Sequence, residues 1–178
     1  FHMLQDAHAD GRMEEALGQL GLDEAAVKLS AGYLERQIKA AGSLADDRTI
    51  LVEHFRDASG NSQLMFHSVF GRRIHAPLAI LAAHTVREQL GMETGSVDEE
   101  EGFLLYSYGE RNLPEGVLQI LDPDTCIRKL EILLPETPVF NMAFRYNSGR
   151  ALMMGVKRNG RQPLWMQRLK SAQMLENV

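Results

Sequence analysis

TILVEHFRDASGNSQLMFHSV, residues 49–69, is the stretch that decides the predicted fold of this chain. Residues 49–57 and 62–69 are rich in β-branched and aromatic side chains, which favour strands. Between them, residues 58–61 (Ala-Ser-Gly-Asn) have the composition of a tight turn. The stretch therefore predicts an antiparallel hairpin.

A second hairpin is predicted further along the chain, after one helix. That helix carries Pro77, which we expect in its first turn, and it ends at Gly91. A short strand at 93–97 then leads through the acidic turn 98–102 into the strand FLLYSY, 103–108.

Helices are predicted on both sides of the hairpins. Residues 12–20 and 23–41 show helical spacing before them, with Asp23 as the N-cap of the second helix. After them, the pairs Asp122-Pro123 and Thr137-Pro138 each place proline at the first helical position behind a capping residue. The four helices predicted there cover residues 114–121, 123–134, 138–154 and 163–175.

The order of these elements predicts an α+β fold, with an antiparallel sheet built from two hairpins and flanked by helices. We predict two regions, a helical lead-in at 1–45 and an α+β domain at 46–178. The chain has 178 residues, of which 44% are hydrophobic and 24% charged, as in ordinary globular proteins. Its one cysteine, Cys126, is typical of a reducing compartment, so we expect a cytoplasmic protein without a secretory signal or membrane span.

The motifs that would indicate catalysis are missing from this sequence. It has no glycine-rich phosphate loop followed by Lys and Ser or Thr, and no Gly-x-Ser-x-Gly turn. The spacing of its central histidines matches no pattern of metal ligands, and the acidic run 98–101 is interpreted as a solvated turn rather than a cation site. We therefore predict neither catalytic residues nor a metal.

The charge is distributed very unevenly along the chain. Residues 140–178 contain seven Lys or Arg and one acid, a local charge of +6, whereas the whole chain carries −5 and residues 1–139 therefore −11. Basic residues interleaved with aromatic ones are typical of a nucleic-acid surface. The alternative is a solvated amphipathic helix pair whose aromatic side chains lie in the core.

The candidate nucleic-acid contacts follow from this distribution. Arg72 and Arg73 lie where a strand gives way to a helix, so arginines and backbone N–H groups could hold a phosphate together. Trp165 could stack on a base, but we interpret it first as a core residue of the last helix. The full set of candidates is Arg72, Arg73, Arg145, Arg150, Lys157, Arg158, Arg161, Trp165, Arg168 and Lys170.

Two segments of the chain resemble a known family. HSVFGRRIHAPLAILAAHTVREQLG (67–91) resembles a segment of the DEAD/H-associated domain from the C-terminal part of Lhr-type (large helicase-related) helicases. The end of the chain, FRYNSGRALMMGVKRNGRQPLWMQRLKSAQMLENV (144–178), is similar to the closing motif of that domain. There, an arginine-bearing helix precedes a basic loop and a Pro-Leu-Trp helix.

This resemblance implies a parent protein with two RecA-like ATPase domains and a winged helix upstream of this region. Such helicases use ATP and Mg²⁺ to move 3′ to 5′ on single-stranded DNA and to unwind duplexes, including RNA:DNA hybrids, and a role in DNA repair is expected. The resemblance also implies a fold similar to type III secretion chaperones. The ATPase motifs themselves are absent from this chain, so we expect it to support strand binding without cofactor or catalysis of its own.

A second hypothesis assigns the region to protein contacts. In that case apolar helix faces dock on the motor domains or on another copy, as a homodimer, and the arginines bridge helices inside the domain. Pairing of Arg145 or Arg168 with buried acids would favour this hypothesis. Exposure of these arginines on one basic face would favour strand binding.

Overall fold

The computed structural model describes residues 2–109, 111–153 and 163–177. The chain divides into two compact units. We call Phe1–Leu121 the sheet unit and Asp122–Val178 the helical unit. The boundary predicted between residues 45 and 46 stays a prediction.

Three helices open the sheet unit. They are α1 (His2–Ala9), α2 (Met13–Gln19) and α3 (Glu24–Ala41), and α1 has no counterpart in the sequence prediction. The carboxylate of Asp23 accepts the amide of Ala26 at 2.8 Å, which confirms the predicted N-cap of α3. The three helices enclose a small apolar cluster of Leu4, Ala7, Met13, Ala16, Leu17, Val27, Ala31, Leu34 and Leu44.

Four strands form one antiparallel sheet, and the predicted α+β class with two hairpins is confirmed. The strands are β1 (Leu51–Arg56), β2 (Ser62–His67), β3 (Thr94–Glu99) and β4 (Gly102–Ser107). Their order across the sheet is β1-β2-β4-β3. The second hairpin therefore joins the first through the pairing of β4 with β2, and β1 and β3 are the edge strands.

Helix α4 (Arg72–Leu90) connects the hairpins and packs on β3 and β4. Alternate residues of a strand point to opposite faces, and the apolar residues of β2 and β4 on the face toward α4 are almost fully buried. This main core contains Leu64, Phe66, Ala79, Ala82, Ala83, Val86, Met92, Phe103, Leu105, Leu113 and Val117. The rings of Phe66 and Phe103 stack there with centroids 4.5 Å apart.

The prediction that Pro77 lies in the first turn of α4 is wrong. The helix begins at Arg72, because the Gly71 carbonyl already accepts the amides of Ile74 and His75 at 3.0 and 3.1 Å. Pro77 is therefore inside the helix, where it cannot donate a hydrogen bond to the Arg73 carbonyl.

The helical unit contains α5 (Pro123–Leu133), α6 (Pro138–Arg150) and α7 (Leu164–Leu175). Asp122 and Thr137 cap α5 and α6 through their side chains, as predicted. A short 3₁₀ helix, Leu134–Glu136, connects these two helices. In the described part of this unit the buried residues are Leu133, Ser148 and Ser171, so it has very little apolar core.

Two helices are shorter than predicted. The segment 114–121 contains a 3₁₀ helix at Val117–Ile120 rather than an α-helix. Helix α6 ends at Arg150 instead of continuing to about residue 154, and Leu152 just beyond it has a φ of 58°. A left-handed residue cannot continue an α-helix. No helix in the described ranges combines the length and apolar character needed to cross a membrane.

Candidate nucleic-acid interface

Helices α6 and α7 pack against each other and form a surface groove of about 600 Å³. Arg145 of α6 and Arg168 of α7 both line it, together with Asn141 and Met142. We call this the basic groove. The structure thus brings together two predicted contacts that are 23 positions apart in the sequence.

Helices α6 and α7 each contain one buried serine, and Ser171 of α7 lines the basic groove. The Ser148 hydroxyl donates to the Arg145 carbonyl at 3.2 Å, and the Ser171 hydroxyl donates to the Arg168 carbonyl at 2.9 Å. Small residues let two helices approach closely, and Ser171 lies one turn after Arg168, which lines the same groove. Sequence reasoning missed these serines, although the shared Arg-x-x-Ser spacing could have identified them.

A second hollow of about 570 Å³ shares Arg145 with the basic groove. It is lined by Arg145, Arg150, Tyr146 and Gln167, among others. The Arg150 guanidinium carbon lies 5.6 Å from the centroid of the Tyr146 ring, and its Nη1 donates to the Tyr146 hydroxyl at 3.5 Å. This contact is a cation–π interaction, which orients Arg150 without neutralising its charge.

The surroundings of the basic groove are strongly positive. Within the described residues, no carboxylate lies within salt-bridge distance of Arg145, Arg150, Arg168 or Lys170. Glu176 is the one acid between residues 137 and 178. Arginines that lack carboxylate partners and share a groove can bind an anionic ligand such as a phosphate through charge-assisted hydrogen bonds.

The interpretation of Trp165 as a core residue is wrong. Its side chain is 63% exposed, and Leu164 and Leu169 of the same helix are exposed as well. The physical reason is that α7 packs on α6 around Ser171, and in the described part of the helical unit no buried apolar cluster lies opposite the start of α7. Trp165 is therefore available for contacts with another molecule.

Four further predicted contacts lie in the C-terminal part of the sequence. Lys170 is exposed on α7. Lys157, Arg158 and Arg161 lie outside the described residues, and their role stays a prediction.

Arg72 and Arg73 lie in the sheet unit, at the start of α4. The Nε of Arg72 donates to Asp98 Oδ2 at 2.6 Å, and this hydrogen bond and charge raise the pKa of Arg72 above its usual value. Glu100 lies close by, because a Cβ added to Gly71 would be 3.0 Å from its Oε1. Acids of the chain itself therefore surround Arg72, whereas Arg73 is exposed and stays a predicted contact.

A sequence model of the DEAD/H associated family matches residues 44–178. The chain belongs to this family. The match includes the sheet, α4 and the basic groove, and it confirms the resemblance noted in the two quoted segments.

Characterised relatives of this DEAD/H associated chain are Lhr helicases. It is 29% identical over 147 residues to the Lhr helicase/uracil glycosylase of Escherichia coli, and 31% identical over 145 residues to the Lhr helicase/probable uracil glycosylase of Mycolicibacterium smegmatis. These alignments cover 82% and 80% of the chain but only 10% of each relative. The ATP-dependent helicase Lhr-Core of Methanothermobacter thermautotrophicus is 29% identical, with 82% of this chain and 17% of the relative covered.

One solved structure resembles this chain over nearly its whole length. It is the structure of the Mycobacterium smegmatis helicase Lhr bound to ssDNA and AMP-PNP. The TM-score is 0.73 at 26% sequence identity, and the match covers 94% of this chain and 21% of the helicase chain. The DEAD/H associated chain thus spans about a fifth or less of the length of these proteins.

Proposed function

We propose that this chain is the C-terminal accessory region of an Lhr-type ATP-dependent helicase, and that its basic groove contacts the phosphate backbone of single-stranded DNA. The observation that carries the proposal is that Arg145 and Arg168, from two different helices, line one groove without a carboxylate partner in the described residues. The ssDNA bound to the Mycobacterium smegmatis relative supports this choice of ligand.

The arrangement of α7 suits a single strand better than a duplex. Trp165 and Arg168 are three positions apart, so both lie on the same side of the helix. An exposed indole can stack on an unpaired base while the neighbouring guanidinium binds the adjacent phosphate. Arg150, Lys170 and the basic residues Lys157, Arg158 and Arg161 extend the positive surface in this proposal.

The unwinding chemistry belongs, in this proposal, to the rest of the longer protein. Two RecA-like domains bind ATP and Mg²⁺ and, with a winged helix, move the strand 3′ to 5′ and open DNA duplexes or RNA:DNA hybrids. In the part of this chain that the structure describes, no group of three or more His, Cys, Asp or Glu side chains could hold a metal ion. The chain contributes by holding the strand that the motor moves.

The likeness to type III secretion chaperones stays part of this proposal, whereas a dimerisation module is the alternative to it. The antiparallel sheet covered on one face by α4 is compatible with such a fold. A homodimer would appear as a concentration-dependent mass of the longer protein in sedimentation equilibrium.

The proposal is tested by the salt dependence of ssDNA binding to the longer protein. Fluorescence anisotropy of a labelled oligonucleotide is measured at several salt concentrations for the natural protein and for Arg145→Gln with Arg168→Gln. Each cation that neutralises a single-strand phosphate contributes about 0.7 to the slope of log K against log salt. We therefore expect the double variant to lower the slope by about 1.4.

The matched control is Arg36→Gln with Arg87→Gln, which removes the same charge from helices α3 and α4. This control should keep the natural slope. An unchanged slope in the groove variant, or an equal loss in the control, would show that the groove does not contact the strand. Trp165→Ala should weaken binding at every salt concentration while leaving the slope unchanged.

A further inference from the structure

The sheet has a second face that α4 does not cover. Alternation along the strands places Phe55, Met65, Leu104 and Val97 on this side, opposite the buried core residues. We call it the open face. Phe55 and Val97 are 42% and 47% exposed, whereas the core residues of the two central strands, β2 and β4, are almost completely buried. Within the described residues, the helix that packs extensively on the strands is α4, on the other face.

The ring of Tyr106 lies across the open face from β4 toward β3. A Cβ added to Gly95 would lie 2.3 Å from Cζ of Tyr106, so the Tyr106 ring lies directly over this glycine. A ring that lies across the neighbouring strand presents its outer side to the surroundings. Met65 and Leu104 are on the same face as this ring and are half-buried, so the face carries apolar side chains that a partner surface would cover.

The charges on the open face are negative. Among its twelve strand positions the ionisable groups, apart from Tyr106, are Glu53, Glu99 and His67, and none is Lys or Arg. The Nε2 of His67 lies 3.1 Å from Glu53 Oε2. At this end of the face, Leu51 and His67 line a groove of about 460 Å³ together with Tyr33 and Gln37 of α3 and the acids Glu100 and Glu101. These acids repel phosphates, so the open face suits a protein surface that carries Lys or Arg.

We propose that the open face is covered, in the longer protein, by an apolar surface flanked by Lys or Arg from residues outside these 178. The sheet unit carries ten Lys or Arg against nineteen Asp or Glu, so a basic partner is electrostatically complementary. The relatives are single chains of which this region spans 10% to 18%, which leaves ample chain to supply the partner. The inference rests on the proposed function, because it takes this region as part of a longer helicase.

A tethered partner needs less binding energy than a separate protein. Covalent linkage raises the effective concentration of the partner surface, so an interdomain contact of modest area is stable. The domain then has two different working surfaces. The basic groove of the helical unit faces the strand, and the acidic open face of the sheet unit holds protein.

The test is cysteine labelling of the longer natural protein. Val97→Cys on the open face and Leu29→Cys on α3, whose natural side chain is 76% exposed, are labelled with a maleimide. Rates are read for each site by mass spectrometry and divided by the rate in the denatured protein. We expect Val97→Cys to react at least about tenfold more slowly than Leu29→Cys, since a covered site reacts only in rare open states.

Charge reversal identifies the chemistry of the partner. Glu53→Lys with Glu99→Lys, added to Val97→Cys, should restore fast labelling, whereas the control Glu14→Lys with Glu15→Lys on α2 should not. The oxidation rate of Met65 in hydroxyl-radical footprinting of the unsubstituted protein gives a second readout free of mutations, and we expect it to be low. Equal labelling rates at both cysteines together with fast Met65 oxidation would overturn the proposal. Protection of Val97→Cys that depends on protein concentration would also overturn it, because it indicates a second copy of the protein as the partner.

The two proposals can fail separately. If the open face is protected but the basic-groove variant keeps its salt slope, the proposed strand contact is wrong and the docking surface stands. If the slope falls as expected but the open face is labelled freely, only the docking inference is lost.

Discussion

Arg72 donates from Nε to Asp98 Oδ2 at 2.6 Å, which connects the first residue of α4 to strand β3. This contact holds the start of α4 beside β3 at the surface of the sheet unit. It also occupies a guanidinium that sequence reasoning assigned to phosphate binding. Because Arg72 has a carboxylate partner in its own chain, we interpret it as a structural residue rather than a phosphate contact.

We expect Arg72→Ala and Asp98→Ala to lower the urea midpoint by similar small amounts. The double variant should lose less than the sum of the two, because both single changes remove the same contact. The contact is exposed to solvent, so the coupling should shrink at high salt. Additive losses in the double-mutant cycle would contradict this assignment, and Arg73→Ala serves as the neighbouring control.

We expect Ser171→Leu to separate α6 from α7. A leucine at this buried contact is overpacked, which typically costs about 1–3 kcal/mol. Because Arg145 and Arg168 line the groove between these helices, ssDNA affinity in anisotropy titrations should fall as well. Ser171→Ala keeps the small volume and removes only the hydroxyl that donates to the Arg168 carbonyl, so it should bind normally. Equal affinities for the leucine and alanine variants would contradict the role of the serine as a spacer.

Gly102 should tolerate no side chain. A Cβ there would lie 2.0 Å from the carbonyl oxygen of Phe66, a backbone atom in the neighbouring strand. Neither group can move without opening the β2–β4 pairing, so we expect Gly102→Ala to cost more than about 3 kcal/mol in urea unfolding.

Gly18 in helix α2 provides the matched control for that substitution. A Cβ added at Gly18 would meet nothing within 4 Å, and Gly18→Ala should stabilise the protein by about 0.5–1 kcal/mol. A mild effect of Gly102→Ala would show that the two strands can separate locally.

Asp57 should make the first hairpin sensitive to acid. Its carboxylate accepts the side-chain and backbone N–H groups of Asn61 at 3.0 and 2.9 Å and the amide of Ser59 at 2.8 Å. These bonds, those from Asn61 foremost, hold the pKa of Asp57 below its usual value of 3.8. The stabilisation is therefore complete above the unfolded pKa and is lost as the pH falls through the lower, folded pKa.

We expect Asp57→Asn to reduce the fall in the urea midpoint between about pH 5 and pH 2. The control is Glu14→Gln, which changes an exposed acid on α2 and should leave the pH profile unchanged. A profile of Asp57→Asn that matches the natural protein would contradict the role of this turn.

The parts of the fold that the sequence predicted well are governed by local rules. β-Branched and aromatic composition and the turn at residues 58–61 predicted the first hairpin. The capping residues Asp23, Asp122 and Thr137 predicted the starts of three helices. These signals depend on neighbours within a few positions. They hold regardless of what packs on the element.

The failures arose where a distant part of the chain decides the outcome. Proline rules placed Pro77 in a first turn, but the helix starts earlier, at Arg72, which is paired with Asp98. The apolar residues of the last helix led to the prediction that Trp165 is in a core. Their spacing along the sequence cannot show whether another helix or strand packs against them. The position of Arg145 and Arg168 in one groove could likewise not be predicted, because it depends on the contact between α6 and α7.

The separation of charge between the two units means that the isoelectric point of the chain misrepresents its surface. The calculated value of about 5.7 describes an acidic protein, because the excess of Asp and Glu in the sheet unit outweighs the positive helical unit. A search for nucleic-acid-binding proteins that selects for a high isoelectric point would pass over this chain. We expect it to be retained at neutral pH both by an anion exchanger and by heparin, each resin holding a different unit.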